Sequence, residues 1–202
     1  MLIRSHCAYV RLPKWSGDVP RDVCSLLMQN GREKTCRHVQ DVADTCAQIA
    51  VQYGLDVSRC SLSGMLHDIS AVIKPEDMLR IAAAEGMEID PAEKKYPFLL
   101  HQRISEILAR ELYHVTDSAV LSAVACHTTL KANPSAYDMA LFLADKLSWD
   151  QEGAPPFEGA VRDALRISLN AASLRSIDYV LDHGMVLCPH RWLIEARASL
   201  KS

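Results

Sequence analysis

The sequence predicts an all-α fold, a single compact helical bundle. Segment after segment carries apolar residues at spacings of three and four, and glycines or prolines punctuate those segments where a helix would stop or start. No stretch alternates apolar and polar residues for long, so strands are not expected, and neither an internal repeat nor a low-complexity tract interrupts the pattern.

Residues 1–18 have no clear period, carry Pro13 and Gly17, and read as an irregular N-terminal extension ahead of one domain spanning 19–202. Asp18-Val19-Pro20 fits a helix start leading to a stop at Gly31. A stronger helix follows over about 32–53, its stripe formed by Val39, Val42, Ala43, Cys46, Ala50 and Tyr53, with His38 at the edge and Gly54 ending it. Ser58 is placed to cap a helix that runs to His67-Asp68, and Lys74-Pro75-Glu76-Asp77 begins another that stops at Gly86. Residues 87–100 read as a loop whose polar middle, Lys94-Lys95, makes it a candidate lid. His101 then shares a helix face with Ile104, Leu108 and Leu112, and His127 ends a face made of Val120, Ala123 and Val124. After the break at Asn133-Pro134, an apolar run from Met139 to Ala144 leads straight into Asp145, with Lys146 pointing away. One long helix is expected over 157–182, Gly184 stops it, and Pro189 leads a last helix toward Leu200.

The chain of 202 residues is long enough for one sizeable core, and no Gly/Ser/Pro-rich linker divides it. A formal charge of -3, with no cationic run beyond Lys94-Lys95, gives no electrostatic footprint for nucleic acid or an anionic membrane. A small phosphate-bearing partner is compatible with it. Seven cysteines, never spaced as C-x-x-C, read as buried thiols in a reducing compartment. With no signal-like or membrane-spanning run, the expected location is cytoplasmic; the oligomeric state is open, a homodimer included.

A lone histidine on an apolar face is ordinarily a packed residue bonded to a carbonyl, and a His-Asp pair recurs by chance. The combination is what points to chemistry. His38, His67-Asp68, His101, His127 and Asp145 come from different expected helices and all face inward, and a carboxylate ending an apolar run is costly to bury without a cation. Six such ligands exceed what one tetrahedral zinc needs and suit two ions sharing a carboxylate, an arrangement that implies hydrolysis. His6, His114, His183 and His190 sit at expected surface or helix-end positions and are read as structural or solvated.

Arg37-His38-Val39, Met65-Leu66-His67-Asp68-Ile69, Leu100-His101, Cys126-His127-Thr128-Thr129 and Leu143-Ala144-Asp145-Lys146-Leu147, in that order, resemble the successive motifs of the HD-domain metal-dependent phosphohydrolases, in particular the bacterial YqeK-type subfamily. The likeness extends from about residue 24 to the C-terminus, through Gly184, Pro189 and Ile194-Glu195-Ala196-Arg197. It implies a helical domain with two divalent or trivalent metal ions, iron by resemblance, that cleaves diadenosine tetraphosphate symmetrically into two ADP through a metal-bridged hydroxide. Manganese, nickel and zinc suit the same ligands. Carried over by position, His38, His67, Asp68 and Asp145 would hold one ion, and Asp68, the catalytic carboxylate, would bridge to a second completed by His101 and His127. Two other activities fit the scaffold: a nucleoside 5′-monophosphate phosphatase, and a non-catalytic nucleotide- or partner-binding module.

Arg103, Lys131 and Lys146 neighbour those ligands and are the candidate phosphate contacts, with Lys94 and Lys95 acting from the lid and Trp149 either stacking a base or packing in the core. The chain departs from the subfamily at Ala71, where a lysine is frequent and Lys74 is the nearest substitute. It also departs at Leu130-Lys131, in place of Gly-Arg, and at Ser148-Trp149-Asp150-Gln151, in place of a Pro and an Arg.

Overall fold

Helix follows helix with no strand among the described residues, 2–149 and 153–201, of a computed structural model of the chain. The segment at Asp150-Gln151 lies outside them. In chain order the helices are α1 (Leu2–His6), α2 (Val19–Gln29), α3 (Glu33–Tyr53), α4 (Val57–Leu66), α5 (Pro75–Ala84), α6 (Pro91–Lys95), α7 (His101–Tyr113), α8 (Ser118–Cys126), α9 (Ala136–Leu147), α10 (Glu158–Leu165), α11 (Leu169–Asp182) and α12 (Arg191–Leu200). Two 3-10 turns, Ile69–Val72 and Pro97–Leu100, lie between α4 and α5 and between α6 and α7.

Local chemistry explains the boundaries. Asp18 caps α2 by accepting from the Arg21 amide, and Gly54 ends α3 with a left-handed φ of 65° that a side chain would resist. The expected stripe of α3 is buried from Val39 to Ala50, with Tyr53 half-buried at its end, and the helix packs on α4. Gly64 makes that packing close: a Cβ there would lie 2.5 Å from Ala43 Cα and 2.7 Å from its backbone nitrogen. The absence of a side chain lets the two helices touch at the turn that precedes His67-Asp68.

Four expectations are corrected. The 1–18 segment is not wholly irregular, because it contains α1, and Leu2, Ile3, Cys7 and Val10 are buried in the common core. Its short apolar cluster at Leu2-Ile3 is less than one helical repeat and left no readable period. The cap of α4 is Asp56, which accepts from the Arg59 amide, not Ser58. Residues 87–100 are ordered by α6, whose capping box pairs Asp90 with Glu93, and by the 3-10 turn; Lys94 and Lys95 face solvent. The expected helix 157–182 is two, α10 and α11, because Ser168 turns the chain and caps the second through the Ala171 amide. Of the cysteines, Cys7, Cys36, Cys46, Cys60 and Cys126 are buried as free thiols, and Cys24 and Cys188 are partly so.

Candidate functional site

The six sequence-selected ligands meet in one basin. His38 lies on the first half of α3, His67 is the C-cap of α4 with Asp68 next to it, His101 opens α7, His127 is the C-cap of α8, and Asp145 sits in the last turn of α9. Three of these positions are helix C-termini, where unpaired carbonyls and the helix dipole favour a cation. The backbone itself thus biases the basin toward positive ions before any side chain is counted.

Backbone carbonyls orient three of the imidazoles. Nδ1 of His67 lies 2.7 Å from Gly64 O, that of His101 2.7 Å from Phe98 O, and that of His127 2.8 Å from Val124 O. A carbonyl only accepts, so Nδ1 carries the proton in each ring and Nε2 presents a lone pair to the basin. His67 is fully buried and its Nε2 has no hydrogen-bond partner, while Nε2 of His101 and Nε2 of His127 stand 3.0 Å apart. Facing lone pairs at that distance repel unless a cation or a proton comes between them. The donor set therefore fits metal ions of the kind that take imidazole and carboxylate.

The carboxylates divide the basin. Asp68 straddles it, with Oδ2 3.6 Å from His67 Nε2 and Oδ1 3.4 and 3.5 Å from the Nε2 atoms of His101 and His127. Asp145 serves one side: Oδ1 is 3.2 Å from His38 Nε2 and 3.7 Å from His67 Nε2, while Oδ2 takes the Lys146 ammonium at 2.7 Å. His38, His67 and Asp145 can hold an ion, as can His67, Asp68 and His127.

Burial strips His67 of solvent and pushes its pKa down to about 4, so the ring is neutral and ready to ligate at neutral pH. Burial works against ionisation of Asp68, yet His67, His127 and His101 hold its carboxyl far below the ordinary carboxylate range. Asp145 is likewise held far down against burial by Lys146, His38 and His67. Both carboxylates are charged in the absence of any ion.

The cleft over this basin, about 370 Å³, has Phe98, Thr128, Ser148 and Trp149 on its walls. Lys146 lines it too, against the expectation that it points away, because in the last turn of α9 its stem curls back to the neighbouring carboxylate. The structure does not bring the other two candidate cations there. Arg103 donates to Glu88 O and lies 3.6 Å from Glu93, and Lys131 donates to Ser122 Oγ and lies 3.6 Å from Asp138. Lys74 sits over the Tyr9 ring in a separate depression. Trp149 packs edge-on against Phe157 while still lining the cleft.

Sequence reasoning missed Thr128 and Phe98. Thr128 Oγ1 lies 3.0 Å from His101 Nε2, and adjacency to His127 was the available signal. His190, read as solvated or structural, is buried, capping α12 through its Nδ1 with Nε2 3.4 Å from Glu93 Oε1.

The HD domain family matches residues 35–150. The chain is similar to the uncharacterized protein in pepC 5′ region of Lactococcus lactis subsp. cremoris, at 36% identity over 159 residues, 79% of this chain and 81% of the relative. It is similar at 25% identity to the symmetrical bis(5′-nucleosyl)-tetraphosphatase of Bacillus subtilis strain 168, over 69% of this chain and 74% of that protein. Among solved structures, a predicted HD superfamily hydrolase involved in NAD metabolism from Clostridium acetobutylicum superposes with a TM-score of 0.79 at 31% identity, covering 94% of this chain and 98% of that one. No helix among the described residues is long and apolar enough to cross a membrane.

Proposed function

Since this chain belongs to the HD domain family of hydrolases, we propose that it is a metal-dependent phosphohydrolase that cleaves a dinucleoside polyphosphate, diadenosine tetraphosphate in the first instance, into two nucleoside diphosphates. The observation that carries this is the pair of facing, carbonyl-anchored imidazoles beside a carboxylate whose two oxygens address different histidines. His38, His67 and Asp145 would hold one ion, His101 and His127 the other, with Asp68 shared. Bound ions of this kind lower the pKa of water and neutralise phosphate oxygens. The tetraphosphatase relatives supply the substrate class.

The chain's own groups do the rest. The three Nδ1–H bonds to carbonyls hold the His67, His101 and His127 rings with Nε2 toward the basin. Lys146, anchored on Asp145 Oδ2, presents its ammonium to the cleft and is placed to meet a phosphate oxygen. The Thr128 hydroxyl stands at the rim beside His101, and Phe98 and Trp149 screen the phosphates from bulk water. In the reaction, the oxygen of water joins a central phosphorus, the bridging P–O bond breaks, and the other half departs as the diphosphate anion while the proton of water passes to solvent. A nucleoside diphosphate leaves without a general acid.

Chromatography of the products after metal loading tests the reading. ADP alone is expected from diadenosine tetraphosphate, and Asp68→Ala should lower the rate by about 10³-fold or more with helicity retained. AMP with ATP, or inorganic phosphate from nucleoside monophosphates only, would replace this reading with another.

A further inference from the structure

A second cavity, about 290 Å³, adjoins the cleft and has a different character. Its walls come from the 3-10 turn before α7, the residues after His127, the 185–188 loop that follows α11, and Leu193 of α12. Phe98 and Thr128 belong to both spaces, and both are bonded to His101, one through its carbonyl and the other through its hydroxyl. His101 therefore stands at the doorway between cleft and cavity.

Three large apolar side chains are left in water around this cavity: Phe98 is 52% exposed, Met185 43% and Leu187 78%. Isolated exposed apolar residues need no explanation, but three on one concavity beside a polar reaction centre mark a surface that something covers. The opposite flank differs. Past His38 the cleft continues to Lys34, Arg37 and Trp149, where cations dominate. Of the polar groups on its walls, Thr129 Oγ1 donates to Leu130 O and His190 Nδ1 accepts from the Trp192 amide, while His190 Nε2 has no hydrogen-bond partner.

We propose that this apolar cavity seats the nucleoside, base and ribose, of one half of the substrate, held by apolar contact with Phe98, Met185 and Leu187. The assignment rests on the phosphohydrolase reading for what lies at the doorway. A nucleoside whose phosphate chain reaches the basin past His101 covers the exposed side chains and leaves the phosphates over the histidines. The cationic flank at Lys34 and Arg37 is then free for the phosphates and nucleoside of the other half. A substrate that is symmetrical in itself would be bound by two unlike flanks.

Adenosine alone is the probe, with the Met185 methyl as the reporter by NMR in the metal-free chain. Addition of adenosine should shift that methyl, Leu187→Asp should weaken adenosine by about tenfold or more by the same signal, and both Leu187→Asp and Met185→Asp should raise KM for diadenosine tetraphosphate by about tenfold or more. Both residues are exposed, so the charged variants are expected to fold. Adenosine binding should persist in Asp68→Ala. If adenosine binds here but no dinucleoside polyphosphate is cleaved, the cavity assignment stands and the proposed activity falls. If the tetraphosphate is cleaved while the Met185 methyl ignores adenosine, or Leu187→Asp binds adenosine as the parent does, the assignment falls and the activity stands. A concentration-dependent dimer abolished by Leu187→Asp would overturn it in favour of a second copy as the cover.

Discussion

The two halves of the basin are built differently. The side chains of His38, His67 and Asp145 are 12%, 0% and 16% exposed, and their frame is the close α3/α4 packing at Gly64 and the last turn of α9. In the other half Asp68 is 25% and His101 20% exposed, and only His127 is deeply buried. His101 depends on a carbonyl of a four-residue 3-10 turn and sits where cleft and apolar cavity meet. Enclosed ligand sets hold ions, whereas sets that keep an open side leave room for water and substrate. Under the proposed function, the inner half would hold its ion and the outer half would meet the reacting phosphate.

The largest effect that tests this contrast comes from paired ligand removals. His101→Ala is expected to lower turnover by about 10²-fold while elemental analysis still finds one retained ion, whereas His38→Ala weakens the first ion bound. Equal loss of metal from both variants would erase the distinction. Next comes Gly64→Ala. The added Cβ meets the backbone of Ala43, so α3 and α4 must part, and chemical denaturation should register about 1–3 kcal/mol of lost stability. Because Gly64 O holds His67 Nδ1, affinity for the inner ion should fall more than affinity for the outer one.

Acid gives a smaller effect of defined sign. The folded pKa of His67, about 4, lies below its unfolded value of about 6.5, so between these the unfolded chain binds more protons and stability falls as pH drops. From pH 7 to pH 5 the metal-free protein should lose about 2 kcal/mol by this route, and His67→Gln should flatten that part of the profile in thermal melts. The low carboxyls of Asp68 and Asp145 act only further down, where stability present above the ordinary carboxylate range is lost on protonation. Smallest is Lys146→Ala, for which a loss in kcat/KM of about tenfold is expected, with partial rescue by arginine.

Most of the inner half was legible in the sequence, because His67-Asp68 and the apolar run into Asp145 are local patterns whose burial follows from helical periodicity. The fate of the cations was not. Lys146, Arg103 and Lys131 look alike as neighbours of ligands, and only tertiary packing decides that the first curls into the cleft while the others pair with Glu93 and Asp138. The apolar cavity was equally hidden, since Phe98, Thr128, Met185 and Leu193 are far apart in the chain and share no spacing. The break between α10 and α11 escaped notice because Ser168 is a modest signal within a continuing apolar pattern, whereas its hydrogen bond to the Ala171 amide is decisive once formed.

The central claim is that six side chains form one basin for two ions joined through Asp68. Electron paramagnetic resonance of the metal-free chain titrated with Mn²⁺ tests it directly. Two equivalents should give the broadened, exchange-coupled spectrum of a pair sharing a ligand, and Asp68→Ala should return it to the six-line signal of isolated ions. A six-line spectrum from the parent chain at saturation would contradict the account.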